Sequence, residues 1–377
     1  MNIIGIAIGV TGLLLLGMFM WMLALSMRKK RLEKERRERE IAYRKAVERS
    51  RRQEREERVM KAEGGHIPTI LYLAKLSERS NPKEALYWYN KAANLDNING
   101  MYGVVRISNK MQQDVILKEQ AKYWKVCIKA LEGSIPHKFE MGQALINGRG
   151  TDLNVSKGLS VMQAAAKDNH IDAILFLGDW YSSENDRDPV KSVSLYRRAA
   201  ELKSNEGRMK LGLNYIRGIG VASNFSVGCY WLERAAEKGY LEAMYRAGEA
   251  WMDQRPNGNS ISYIWLFLAA QLGYEPAKKL RDQVAQQIGV DTVVGLQSLS
   301  KPMLKKIRDK KVGKHSIIKA LNKLYKRDIP IEDLDASLIQ ENAEQPTLES
   351  ETDENSVELE APNRLDFSQS PMDNSSK

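Results

Sequence analysis

The sequence predicts an all-α protein whose centre is a solenoid of helix-turn-helix repeats. Two registers of small residues predict it. Ala-Ala pairs recur at Ala92-Ala93, Ala165-Ala166, Ala199-Ala200, Ala235-Ala236 and Ala269-Ala270, with Ile128-Lys129 in the slot between the first two. Glycines recur between them at Gly142, Gly178, Gly212 and Gly248. Both registers repeat every 34–37 residues, the length of one helical hairpin. A third observation limits the array. The 377-residue chain carries a formal charge of +10, but Arg and Lys crowd positions 28–61 while Asp and Glu dominate after Ile331. The repeats therefore lie between a basic and an acidic attachment.

Residues 1–27 are expected to form a transmembrane anchor. Ile3 to Met27 contains no charged residue, and about 20 apolar residues in a helix cross a hydrocarbon core. Trp21 stands near the far end, where an aromatic suits the interface. No basic residue precedes the apolar run, and Arg28, Lys29, Lys30 and Arg31 follow it at once. That order argues against a cleaved signal peptide. By the positive-inside rule it places the following chain in the cytoplasm. The same four residues are expected at the membrane surface, against anionic headgroups.

Residues 28–63 read as a charged juxtamembrane helix. Glu33 and Arg37, Glu35 and Arg39, Glu40 and Arg44, Glu48 and Arg52, and Glu54 and Arg58 are spaced i, i+4, and each such pair supports a helix by about 0.2–0.5 kcal/mol. Leu32, Ile41, Val47 and Val59 give only a sparse heptad seam, so a coiled coil, and oligomerisation through anchor or stalk, stay open. The interleaved glutamates repel phosphate, and nucleic acid is not an expected partner. Gly64-Gly65 should end this helix, and Pro68 suits the first turn of the next.

Residues 67–280 are read as six repeats, the first two degenerate. Four residues before each Ala pair or its slot stands a larger apolar residue: Trp88, Trp124, Val161, Leu195, Trp231 and Trp265. The two positions share a helix face, so the large side chain fills the space between helices and the alanines let a neighbour approach. Glycine inside a helix costs about 1 kcal/mol relative to Ala. Its recurrence at Gly142, Gly178, Gly212 and Gly248 therefore implies a close crossing. Gly148 and Gly150, and Gly218 and Gly220, are placed to end the first helix of their repeats in left-handed geometry. One hairpin cannot bury its own apolar face, but stacked hairpins can.

Leu211-Gly212-Leu213-Asn214-Tyr215, Gly218-Ile219-Gly220-Val221 and Trp231-Leu232-Glu233-Arg234-Ala235-Ala236-Glu237-Lys238-Gly239 together resemble the Sel-one-like subclass of tetratricopeptide-type repeats. The fourth copy has Ser182-Ser183-Glu184-Asn185-Asp186 in place of the Gly-x-Gly turn, and the first has a shortened inter-helix loop around Leu73-Ala74. The resemblance implies curved α-solenoids that hold partner proteins in a membrane or envelope setting. With the simple anchor it implies a bacterial inner membrane.

Residues two and five after the glycine of each first helix are expected on the concave side. Asn147, Trp180, Asn214, Arg217 and Asp253 are thus the candidate partner-binding residues, against a plainer reading as solvated surface or, for Trp180, core. Residues 281–330 read as a helical cap broken at Lys301-Pro302. Lys305, Lys306, Arg308, Lys310, Lys311, Lys314, Lys319, Lys323, Lys326 and Arg327 make it basic. Residues 331–377 are too acidic and too poor in apolar residues to order themselves, and read as a disordered tail.

No catalytic constellation is found. His66, His137, His170 and His315 have no metal-type spacing to one another or to Cys127 and Cys229, and the cysteines read as buried free thiols. Gly148-Arg149-Gly150 follows no strand and lacks a third glycine, so it is not a dinucleotide fingerprint. The chain is read as a non-enzymatic, cofactor-free scaffold or adaptor, tethered to a lipid bilayer and facing the cytoplasm. The alternatives are a periplasmic envelope protein with an uncleaved signal anchor, and an anionic lipid or nucleic-acid binder acting through stalk and cap.

Overall fold

A computed structural model describes residues 3–111, 114–183 and 187–331, with side chains from residue 16 onward. Every regular element among the described residues is a helix. The chain divides into two units, Met1–Ser223 and Asn224–Lys377.

The first unit opens with α1 (Ile3–Glu63), a single helix of 61 residues. Its charged part carries the expected i, i+4 pairs Glu35–Arg39, Glu40–Arg44 and Glu54–Arg58. Arg52 instead reaches forward to Glu56 at 3.0 Å. These pairs are exposed, and each contributes a few tenths of a kcal/mol. The helix stops at Gly64-Gly65, where Gly65 has φ +88°. Its last turn docks on the repeats. Ala62 is fully buried and Val59 packs on the same core. Glu63 accepts a hydrogen bond from the Tyr87 hydroxyl and pairs with Lys91. Among the described residues, no helix is long and apolar enough to cross a membrane. The side chains of residues 1–15, over half of the expected anchor, lie outside the described residues.

The hairpins follow: α2 (Ile67–Ser77) with α3 (Pro82–Asn94), α4 (Ile98–Lys110) with α5 (Val115–Leu131), α6 (Ile135–Asn147) with α7 (Val155–Lys167), and α8 (Ile171–Ser182) with α9 (Pro189–Glu201). The unit closes with α10 (Asn205–Arg217). Each helix packs on its neighbour in sequence. Second helices start at side-chain caps that bind an orphan N–H of the first turn: Asn81, Asp114, Asn154 and Asp188.

In the second unit α11 (Phe225–Ala236), α12 (Leu241–Trp251) and α13 (Gly258–Gln271) continue the same pattern. Then come α14 (Glu275–Ile288), α15 (Val290–Arg308), which packs across α13 as well as α14, and α16 (Ser316–Tyr325), which returns to α11. The expected break at Lys301-Pro302 does not occur, because α15 runs through Pro302. Its buried face is continuous on both sides of the proline, with Leu296, Ser300, Leu304 and Ile307 inside. That burial outweighs the one backbone hydrogen bond a proline removes. The acidic tail beyond Ile331 lies outside the described residues, as does 184–186 in the α8–α9 loop.

The repeated small residues take their place in the core. All five Ala pairs are buried. A Cβ on Gly100 would come within 2.7 Å of Ala92, and one on Gly207 within 2.6 Å of Ala199, so the pair admits the next hairpin's first helix. Gly178 and Gly248 are crossed by Tyr196 and Leu266, at 2.5 and 2.6 Å from where a Cβ would stand. The covering side chain is thus one residue later than the expected large position. Tyr196 and Met162 are buried, while Leu195 and Val161 are only half-buried. The strand of logic is the same, shifted by one residue: the helix face toward the glycine is set by Tyr89, Met162, Tyr196 and Leu266. Trp88, Trp124, Trp231 and Trp265 pack beside it at 0–5% exposure.

Candidate protein-binding site

Positions that repeat point inward, and one position that differs from hairpin to hairpin lies toward the surface in every copy but the second. Six residues after the residue that precedes each first helix stand Tyr72, Gly103, Glu140, Phe176, Lys210 and Arg246, of which Gly103 is buried under the Tyr89 ring and the others are exposed or half-buried. This is a set with no common chemistry on a common scaffold. An ion pair ties one of them to another helix. Lys210 of α10 binds both carboxylate oxygens of Asp179 on α8 at 2.7 Å and Glu206 at 2.8 Å. Burial works to lower the Lys210 pKa, but these two carboxylates outweigh it and raise it. The Tyr196 hydroxyl donates to the same Asp179 at 2.6 Å.

Glu78, at the end of α2, makes the strongest such junction. Arg106 grips it with two bonds of 2.9 Å, the Tyr89 hydroxyl donates at 3.1 Å, and Lys110 stands at 3.5 Å. The Arg106 guanidinium holds the Glu78 carboxyl down to about 2, against the opposing effect of burial.

The five sequence-derived candidates do not converge on one place. Asn147 is exposed and lines a groove of about 600 Å³ between α5 and α6. Glu119, Lys122 and Tyr123 form one wall, Glu140 and Gln143 the other, and Arg149 the end. Trp180 is half-buried and stacks on Phe176 with ring centroids 6.2 Å apart. Arg217 is exposed at the end of α10. Asn214 is 8% exposed, so it faces the interior rather than a groove. Asp253 is exposed, but it sits at φ +62° in the α12–α13 turn, with its backbone N–H donating to Asn259 at 2.7 Å. Its first role is to shape that turn.

The Gly-x-Gly turns have the expected left-handed geometry, with Gly148, Gly150, Gly218 and Gly220 at φ +64° to +72°. The second glycine has a further reason. A Cβ at Gly220 would lie 2.1 Å from the Pro189 carbonyl oxygen, and one at Gly150 2.4 Å from that of Glu119. Each turn therefore presses on the start of the preceding hairpin's second helix.

A buried polar cluster in the second unit was not apparent in the sequence. Glu233 on α11 and Glu237, the residue that ends it, are 0% and 1% exposed. Arg327 forks onto Glu233 at 2.6 and 2.8 Å. Burial pushes the Glu237 carboxyl up. Both glutamates stand in the Trp-x-x-x-Ala-Ala stretch, where the alternation of charge with Arg234 and Lys238 reads as solvated surface. Both cysteines are free and buried, and burial pushes the Cys127 thiol up to about 11. Among the described residues no group of three or more His, Cys, Asp or Glu is placed to hold a metal ion.

Stacked helical hairpins with small residues at every crossing define an α-solenoid repeat protein. Residues 75–97, 171–204 and 206–240 match the Sel1 repeat family model. The chain thus carries Sel1-like repeats over these three segments. Over 126 residues it is 31% identical to an F-box protein of Arabidopsis thaliana, covering 33% of this chain and 34% of that one. It thus spans about a third of the length of that curated relative. Among solved structures it is similar to a protective antigen of uropathogenic Escherichia coli displaying an SLR fold, at 18% identity over 72% of this chain and 66% of the other, TM-score 0.44. It is also similar to a Sel1 repeat protein from Oxalobacter formigenes, at 19% identity over 62% and 99%, TM-score 0.40.

Proposed function

We propose that the chain is a protein-interaction scaffold held at a membrane by its N-terminus. One observation carries the scaffold reading: the repeated residues are spent on packing, and the exposed residues of the first helices vary freely in size and charge. Such a surface is specific without being catalytic, as repeat proteins that bind other proteins require. The groove of about 600 Å³ between α5 and α6 is a concave part of it. Its mixed lining of Lys122, Glu140, Asn147 and Arg149 suits a polypeptide carrying both charges.

The tether is supported by residues 16–27. Leu16, Met18, Phe19, Met20, Trp21, Met22, Leu25 and Met27 are all 45–67% exposed around a helix that no other described residue covers. A contiguous apolar surface of that kind belongs against lipid or another apolar partner. The anchor then comprises residues 1–27, Arg28 to Arg31 lie at the headgroups, and the repeats stand in the cytoplasm of a bacterial cell. Tethering raises the local concentration of whatever the scaffold holds.

Crosslinking in intact cells, followed by purification of the full chain, tests the scaffold. A variant with Lys122, Glu140, Asn147 and Arg149 all changed to Ala should lose partners that the parent retains. Identical partner sets from the two would remove the groove from consideration. Fusions at Lys377 test the orientation: a fluorescent protein should be bright and a periplasmic phosphatase inactive. The opposite pair of results would favour the envelope alternative.

A further inference from the structure

The second unit holds a docking arrangement whose occupant is the chain itself. α16 follows α15 in sequence, yet its polar anchors are 78 to 94 positions earlier, on α11. Glu237 accepts the backbone N–H groups of His315, Ile317 and Ile318 at 3.1, 2.6 and 3.0 Å. Glu233, one turn before it, takes both terminal nitrogens of Arg327 and the Trp251 indole N–H at 2.7 Å. The Arg327 guanidinium also lies 5.0 Å over the Trp251 ring. The apolar part of the contact is small: Ile317, Ile318, Leu321 and Ile329 are the buried hydrophobic residues of 315–331.

Two carboxylates on one helix face belong in water unless something covering them supplies donors. Among the described residues of α11 to α13, Trp251 donates to Glu233, and Arg234 stands 3.6 Å from Glu237 as an ion pair without a hydrogen bond. The segment 315–327 supplies the others. α11 is therefore shaped for a covering helix with free first-turn N–H groups and a following arginine. Contacts of this type give specificity with modest net stability, because desolvating the charges offsets much of their attraction. The segment is also preformed. Asn322 donates to the Ile329 carbonyl at 2.9 Å and accepts from Arg327 at 3.2 Å. It is joined to α15 by a turn with Lys310 at φ +53°, Gly313 and His315 at φ +61°.

We propose that residues 315–329 are a displaceable internal ligand covering a helix-docking site on α11 and α12. The partner this site fits is a protein segment that forms an amphipathic helix, with two adjacent branched apolar residues in its first turn and an arginine about ten residues on. The site lies in the second unit and does not depend on the α5–α6 groove, whose variants test that reading separately.

The probe is a fluorescent synthetic peptide of residues 314–331, followed by anisotropy with the full chain. Arg327→Ala leaves Glu233 buried without its fork, which should lift the internal segment. The variant chain should take up the peptide at least about tenfold more tightly than the parent. Adding Glu233→Gln to it should abolish the gain. A folded Arg327→Ala chain that takes up no peptide, or a double variant that binds as well, overturns the proposal. Hydrogen exchange on the unaltered full chain decides the matter should the variant not fold. The amides of Ile317 to Leu321 should exchange about 100-fold faster than those of Ile264 to Leu268 in α13. Equal rates would mean that α16 opens only with the whole unit, and the proposal would fall.

Discussion

At the scale of single residues, the four tryptophans of the repeats separate packing from polar function. Trp88, Trp124, Trp231 and Trp265 are buried, and the indole N–H of each has no hydrogen-bond partner among the described residues. Three of them pack edge-on or tilted against the preceding tyrosine, at centroid distances of 4.9–5.1 Å. Their value is volume, so Trp231→Ala should cost about 3–5 kcal/mol in a urea titration. Trp231→Phe should cost less than half of that, because it also removes an unsatisfied buried donor. Equal losses from the two would show that the N–H matters. Glu78 is the opposite case, where charge dominates. Its folded carboxyl titrates at about 2, below the ordinary 4.5. The bonds to Arg106 therefore contribute fully above pH 4.5 and are lost as the pH falls toward 2. With Arg106 half-exposed, solvent screening brings the contribution to about 1–2 kcal/mol. Stability measured against pH should fall across this window, and Glu78→Gln should remove about that much of the fall.

Between elements, the decisive contacts are those of a glycine with the helix crossing it. Gly178→Ala would gain about 1 kcal/mol of helix propensity. It would also put a methyl group 2.5 Å from the Tyr196 ring, which cannot swing aside because its hydroxyl is held by Asp179 at 2.6 Å. Ser192 adds a second tie across the same crossing, donating to the Gly178 carbonyl at 2.8 Å. Overpacking costs about 1–3 kcal/mol, so the net change should be a loss, read as a lower urea midpoint. A gain would mean that the crossing is looser than these distances. The glycine register was legible in the sequence because a glycine inside a helix demands a reason, and four at one spacing demand a common one. The identity of the covering residue was less legible. Trp is the more conspicuous residue, but at this crossing angle the next position along faces the glycine. The α16–α11 contact left no trace at all in the repeat pattern, since a single long-range pairing has no period. Its acidic half, moreover, is written in residues that normally mark a solvated face.

For the whole molecule, the question is what a 61-residue helix does for a repeat array. From Arg28 to Glu63 it spans about 54 Å at 1.5 Å per residue. Its last turn is fixed to the first hairpin by Ala62, Val59 and the bonds of Glu63 to Tyr87 and Lys91. Arg58 lies 5.6 Å over the Tyr72 ring at the same junction. If the N-terminus is bound to a surface, as proposed, a floppy linker would let the repeats rest on it, whereas a docked helix would hold them away from it. On the proposed reading, residues 1–27 are what holds this architecture at the membrane. Removing 1–27 should therefore move the chain from the carbonate-resistant membrane fraction to the soluble one, with helical circular dichroism per residue little changed. Replacing Leu16, Phe19, Trp21 and Leu23 with Ser should do the same without shortening the chain. If either variant stayed in the carbonate-washed membrane, attachment would have to run through another part of the molecule. The basic residues of α15 and α16 would then be the first place to look, and attachment through them should weaken steeply with salt.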